Sequence, residues 1–276
     1  MVIRLKINCQ NYYIKSSFNS KIVLMSDIHY DNKSNLNHLY KVLNKIKSIN
    51  PNYICIAGDF INRTDASDIS LFYKWLKDLG SITKVIIGIG NHDMVQFGKN
   101  YDCRCDDIFL SIKDIDNIYL LDNDEVSFDN INFIGLTLPW KYYYKDGENP
   151  SCIHKYINTN LKVRKDKYNI LLCHSPYAVT KCSDIDLFNN SDLILSGHMH
   201  AGCLFKCFRK IFNGIGIFSP VPYSRRFFSP NMYGYIKRKN LIISSGITKL
   251  SDNTRIKKLN NLFDSEITII NIENEL

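Results

Sequence analysis

From Lys21 to Asp27 the chain reads KIVLMSD, an almost unbroken apolar run of strand length. Runs of this kind belong to strands covered on both faces. Leu36, Leu39, Tyr40, Leu43, Ile46 and Ile49 then recur at steps of three and four, which places them on one side of a helix that Pro51 ends. YICIAGD, from Tyr53, returns to strand, and Ile69, Phe72, Trp75, Leu76 and Leu79 mark a second helix closed by Gly80. KVIIGIGNHD, from Lys84, is strand again. Alternation of strand and helix predicts parallel pairing with right-handed crossovers.

Beyond this the pattern shortens. IYLLD (118–122), EVSFDN (125–130) and INFIGL (131–136) read as short strands separated by turns and running antiparallel at a sheet edge, and a helix is expected over 155–166. YNILLCH and SDLILSGHMH supply two more buried strands, while GYIKRKNLIISSGI and EITIINIE form a closing pair or trio. The expected architecture is α/β: two mixed β-sheets packed face to face as a sandwich with flanking α-helices. We expect one domain over 1–276, carrying an insert or cap at 203–240.

Composition narrows the class. With 276 residues, 45% hydrophobic and 22% charged, the chain can bury a substantial core. It contains no apolar run near the roughly 18 residues of a membrane span, and its start lacks the apolar segment of a signal peptide. The expected location is therefore cytoplasmic. Nine scattered cysteines, among them Cys55 and Cys173 inside apolar runs, read as free thiols in a reducing compartment. The pairs Cys103/Cys105 and Cys203/Cys207 lack the spacing of a zinc site.

The net charge of +8 is concentrated. Between Phe205 and Lys239 lie eight basic residues, nine aromatic ones and no acidic one. Directly after the last histidine cluster, such a window is expected to sit beside the site as a loop or cap. Its cations could hold phosphates, and its rings could stack on a base or enter a membrane interface. Arg225 and Arg226 in this window, with Arg63, are the candidate substrate-binding residues, and contact with the inner face of a membrane is a further expectation.

The polar residues gather at strand ends. SDIH brings Asp27 and His29, GDF brings Asp59, GNHD brings Asn91, His92 and Asp93, CHSP brings His174, and GHMH brings His198 and His200. Open α/β sheets bind ligands outside the carboxyl ends of their strands, so the five clusters are expected to converge. Carboxylates and imidazoles crowded this way are tolerable neighbours only with cations between them. Seven donors exceed the need of one ion and suit two about 3.5 to 4 Å apart, an arrangement fitted to in-line displacement at phosphorus. The oxygen and imidazole mixture favours Mn²⁺, Fe²⁺ or Fe³⁺, or Zn²⁺.

The string D-x-H, G-D, G-N-H-D, H and G-H-x-H over residues 27–200 resembles the calcineurin-like metallophosphoesterases. The resemblance implies that Asp27, His29 and His200 hold a first metal, that Asn91, His174 and His198 hold a second, and that Asp59 bridges them. It further implies that His92 is the catalytic histidine and Asp93 its orienting partner. The expected activity is hydrolysis of a phosphodiester, pyrophosphate or phosphomonoester by a metal-bridging hydroxide, on a phosphorylated small molecule or a nucleotide-linked or lipid-linked substrate. The block GHMHAG followed by a long insert, LIISSGI and EITIINI is similar to the bacterial branch cleaving UDP-diacylglucosamine and related membrane-linked pyrophosphates. A catalytically silent binding module of the same fold and a nuclease are the competing readings. Intact Asp59, Asn91 and His92 weigh against the first, and the absence of room for extra domains weighs against the second.

Overall fold

A computed structural model describes residues 7–30, 36–61, 69–97, 100–104, 106–143, 157, 161–182, 184–204, 206–219, 227–247 and 265–275. The first of its two six-stranded sheets runs β1 (Ile7–Ser16), β16 (Ser265–Asn274), β2 (Ser20–Met25), β3 (Tyr53–Ala57), β4 (Lys84–Gly88) and β7 (Ile118–Leu121). The second runs β14 (Gly234–Ile236), β15 (Leu241–Ile243), β11 (Leu193–Ser196), β10 (Tyr168–Cys173), β9 (Ile131–Leu136) and β8 (Asp124–Phe128). Parallel pairing links β2, β3, β4 and β7 in one sheet and β9, β10, β11 and β15 in the other. The smaller hairpins are β5 (Met94–Phe97) with β6 (Asn100–Arg104), and β12 (Gly216–Phe218) with β13 (Phe227–Ser229).

Three apolar layers show how the sheets stack. Between them lies a core built from both, in which Ile22, Leu24, Cys55 and Ile86 of the first sheet meet Phe133, Ile170, Leu172 and Leu195 of the second. On the outer face of the first sheet, α1 (Leu36–Ile49) and α2 (Ser70–Gly80) contribute Leu39, Leu43, Phe72 and Trp75, and α3 (Asp106–Lys113) adds Ile112. The outer face of the second sheet is covered by Tyr177, Val179, Leu187 and Phe188, the first two from helix Pro176–Lys181 and the others from the turn Asp186–Asn189. Strand side chains alternate between faces, so each central strand feeds two layers: Ile54 and Ile56 point to the helices, Cys55 and Ala57 to the other sheet. This is the expected α/β sandwich, and its continuously apolar strands are the ones buried on both faces.

Several elements depart from the sequence reading. The first strand, β1, has polar residues at five of its ten positions and pairs in parallel with β16, from Ile7 opposite Ser265 to Ser16 opposite Asn274. The closing segments divide: β14 and β15 finish the second sheet, whereas β16 enters the first. The antiparallel edge expected in the middle is the pair β8–β9, but IYLLD joins β4 in the opposite sheet. Of the helix expected over 155–166, residues 161–166 are not helical. The Asn169 side chain bonds both the amide and the carbonyl of Arg164 and the carbonyl of Lys167, which takes the backbone groups a helix would pair internally. The rest of that expectation, apart from Ile157, lies outside the described residues, as do Arg63, Arg225 and Arg226.

Cys55, Cys173 and Cys182 are buried free thiols, as the apolar context of the first two suggested, whereas Cys207 is exposed. His38 is half-buried and sits 2.6 Å from Ser265 Oγ, tying α1 to β16. Among the described residues no helix is long and apolar enough to cross a membrane.

Candidate dinuclear metal centre

The five polar clusters leave the carboxyl ends of β2, β3, β4, β10 and β11, and the folding brings them together. After β2 and β3 the two turns run side by side, with the Asp27 amide donating to the Gly58 carbonyl (3.1 Å) and the His29 amide to the Asp59 carbonyl (3.0 Å). After β10 and β11, the Gly197 amide donates to the His174 carbonyl (3.1 Å). Asp27 joins the sheets, because its carboxylate accepts the His198 amide at 3.1 Å. That approach needs glycine at 197: a Cβ there would stand 2.5 Å from Ser26 Cβ and 2.7 Å from Asp27 Oδ2. Asp27, His29, Asp59, His198 and His200 all adopt positive φ, between 46° and 71°.

Three donor groups interlock. Asp27, His29 and His200 form one, Asp59, His174 and His198 a second, and His29, Asp59 and His92 a third, each with ligand atoms within 4.8 Å of one another. His174 Nε2 lies 3.0 Å from Asp59 Oδ2, His200 Nε2 lies 3.5 Å from Asp27 Oδ1, and His29 Nε2 lies 3.8 Å from Asp59 Oδ2. All seven candidate ligands are buried except His200, which is partly exposed together with His92. Asn91 Oδ1 is buried without a hydrogen-bond partner among the described residues. The His29 and His92 rings meet edge to face at 4.6 Å, and His174 and His198 do so at 5.1 Å.

The donor chemistry fits metal ions. His174 Nδ1 lies 2.6 Å from the Ala57 carbonyl oxygen, a contact that places the ring proton on Nδ1. Its Nε2 lone pair then faces the Asp59 carboxylate, two acceptors at 3.0 Å that repel unless a proton or a cation stands between them. Without a cation the proton takes that place. Burial lowers the His174 pKa, but the Asp59 charge and hydrogen bond, with help from Asp27, outweigh it and push the value up to about 9. Burial alone would raise Asp59, yet the His174 and His92 charges hold it well below the usual carboxylate range. Burial first, and the neighbouring imidazoles after it, hold His29 and His198 well below the ordinary histidine value, as donors to a metal require.

Asp93 stands among these groups, and its carboxylate is held by backbone amides. Its carboxylate accepts the amides of Gly90 (2.7 Å), Asp59 (2.8 Å) and Ile61 (2.9 Å), so it ties the turn after β4 to the turn after β3. Burial and then the Asp59 charge push this carboxyl well above its usual range, against the pull of the Ile61 and Gly90 amides. The Asp59 Oδ1 atom in turn accepts the His92 amide at 2.7 Å.

Sequence reasoning missed Tyr143. Its ring is fully buried and packs against His198 at 5.3 Å and His174 at 5.8 Å. It belongs to the short 3₁₀ turn Trp140–Tyr143, which follows β9, a sixth strand end on the same rim. The signal was the aromatic run WKYYYK just past INFIGL. Ser26, whose hydroxyl donates to Asp27 Oδ2, was also missed.

The chain is 25% identical over 257 residues to an uncharacterized metallophosphoesterase of Campylobacter jejuni, covering 92% of itself and 59% of that protein. It is 26% identical over 186 residues to an uncharacterized metallophosphoesterase of Helicobacter pylori, covering 67% of itself and 45% of that protein. The chain thus spans about half the length of these relatives. Among solved structures, a dimetal phosphatase of Danio rerio matches with 13% identity and a TM-score of 0.41 over 66% of this chain and 82% of that one. A nuclease of Pseudomonas putida matches with 13% identity and a TM-score of 0.31 over 65% and 61%. The profile of the calcineurin-like phosphoesterases matches residues 20–202, a span that holds every candidate ligand, and the chain belongs to that family.

Proposed function

We propose that the chain is a two-metal phosphohydrolase in which Asp27, His29 and His200 hold one ion, Asn91, His174 and His198 hold the other, and Asp59 stands between them. The observation that carries the reading is the sharing of donors: His29 and Asp59 each belong to two of the three clusters, so neighbouring sites would have ligands in common. Two bound cations would make water acidic enough to attack near neutral pH and would offset charge on the phosphoryl oxygens.

The remaining work falls to the chain's own groups. His92 is partly exposed and touches the His29 ring at 4.6 Å, at the edge of the cluster rather than its centre. From there its imidazole can donate a proton to the departing oxygen. Its backbone amide is anchored on Asp59, so His92 and the shared carboxylate keep a fixed relation. Tyr143 covers the His174 and His198 pair and excludes water from that side. No side chain is needed as a nucleophile, so no phosphoenzyme forms. The substrate is a phosphodiester, pyrophosphate or phosphomonoester, each of which gains from a proton donor at its leaving oxygen.

The test is metal-dependent hydrolysis of bis-p-nitrophenyl phosphate, p-nitrophenyl phosphate and UDP-sugars, read beside elemental analysis. Asp59→Asn is expected to lose both turnover and metal. His92→Ala is expected to keep its metal and lose about 10² to 10⁴ in kcat. Full activity in both variants would overturn the assignment.

A further inference from the structure

Among the described residues, most large apolar side chains left in water occupy one short stretch. Of the eight exposed ones among the described residues, six fall between 208 and 228: Phe208, Ile211, Ile217, Phe218, Phe227 and Phe228. The other two, Tyr13 and Leu110, are isolated in sequence, as single exposed apolar residues commonly are.

Phe208 and Ile211 are exposed on the helix Lys206–Phe212, and Phe212 at its end packs, partly buried, against the core beneath the second sheet. Three residues on, β12 and β13 form a hairpin with Phe218 opposite Phe227, their rings in edge contact at 5.9 Å. Neighbouring residues on a strand point to opposite faces. Ile217 and Phe218 are nevertheless both exposed, at 36% each, and so are Phe227 and Phe228, at 60% and 52%. Apolar side chains on both faces of the hairpin are therefore open to water, although Ser219 and Ser229 are buried. Its base is fixed, since Gly216 packs on Gly202, two residues after His200, so closely that a Cβ on either would meet the other's Cα within 2.5 Å.

Cations surround that base. Arg238 shares a hollow with Ser219, just after β12, and Ser229, opposite Gly216, and Lys210 and Lys237 border a cleft with Gly214 and Asn231. All three basic residues are exposed, and no acidic residue occurs between 205 and 239. Apolar side chains outermost with lysine and arginine behind them match a lipid interface, where rings enter the acyl boundary and cations lie at headgroup level. We propose that residues 206–219 and 227–238 dock this protein on an anionic lipid surface, with the apolar side chains of the hairpin inserted and Lys210, Lys237 and Arg238 on the headgroups.

The charge favours this occupant over a second copy of the chain, because two such faces would bring like charges together. The aliphatic Ile211 and Ile217 favour it over a nucleic acid, whose bases stack on rings. The docked face lies beside the metal centre and does not depend on what that centre hydrolyses.

The test is sedimentation of the full chain with neutral phosphatidylcholine vesicles, with and without about 30 mol % phosphatidylglycerol. Binding is expected to be about tenfold or more tighter to the anionic vesicles. F227S/F228S and K210Q/K237Q/R238Q are each expected to lose about tenfold or more while melting like the parent, and L110S to bind like the parent. Equal sedimentation of the parent and F227S/F228S would overturn the proposal. So would preferential retention on single-stranded DNA, or a dimer in solution that F227S/F228S dissociates.

Discussion

The sharpest test of how the site is held concerns Asp93. Its carboxylate sits beneath two ligand-bearing turns and accepts three buried amides, those of Gly90 and Asp59 on Oδ2 and that of Ile61 on Oδ1. Asp93→Asn keeps the shape but can keep an oxygen on one side only. With the amide oxygen at the Oδ2 position two bonds survive and the Ile61 N–H faces an NH₂ group, a buried donor left without an acceptor, at about 1–3 kcal/mol. Asp93→Ala strands all three amides, at about 3–5 kcal/mol. For a chain of 276 residues, 1 kcal/mol corresponds to about 2 °C in Tm. Asn should therefore lower Tm by about 2–6 °C and Ala by about 6–10 °C. Calorimetry of each variant, with kcat measured well below its Tm, separates bracing from a direct role. If Asp93→Asn melts with the parent while kcat falls by about tenfold or more, the carboxylate acts through the His92 ring instead and the bracing account is refuted.

Two further substitutions probe the frame around the centre. Gly58 has φ +80°, and a Cβ there would lie 2.7 Å from the His174 ring and 2.8 Å from Gly90 Cα. Gly58→Ala should cost about 2–4 kcal/mol and weaken metal loading, because the ring that must move carries a candidate ligand atom; an unchanged melt and metal content would refute this. On the far side, Arg209 Nη1 pairs with Glu266 at 2.7 Å and with Ser245 Oγ at 2.6 Å, and both charged side chains are largely buried. The adjoining loop braces two ligand turns, through the Ser244 amide on the Ser196 carbonyl and the Ile247 amide on the Ser26 carbonyl. Arg209→Met should cost about 3–5 kcal/mol and R209M/E266Q distinctly less, since the double change leaves no uncompensated charge; chemical denaturation measures both.

How much of this was legible in the sequence follows from the range of the interactions. Asp27, His29, Asp59, Asn91, His92, His174, His198 and His200 could be grouped because each closes a strand whose apolar run is local, and parallel strands put their carboxyl ends on one rim. The bonds that Asp93 makes could not be read, because they go to backbone amides up to 34 residues away, and an amide leaves no residue type to read. Strand β1 was hidden for a related reason. Half its positions are polar, and its partner is β16 at the opposite end of the chain, so neither composition nor neighbours announced it. Tyr143 sat in an aromatic run that could equally have been core, and only the meeting of β9 with β10 put its ring on two imidazoles.

The backbone at the site carries its own argument about why these residues stand there. Five of the seven candidate ligands have positive φ, at about 1–2 kcal/mol each and so about 5–10 kcal/mol in sum. That is the size of a whole domain's net stability. Strain on this scale persists only where the surroundings over-determine it, and here they do: the strands that end in these turns are almost wholly buried, and the turns are stitched to one another by amide-to-carbonyl bonds. Glycine at position 29 or 200 would relieve the backbone, yet it would remove a donor from the cluster. Histidine and aspartate tolerate the left-handed region better than most residues, and both carry lone pairs. The choice at each turn thus follows from two requirements met together, a chain that must reverse sharply to leave the sheet and a side chain that must still reach the common centre.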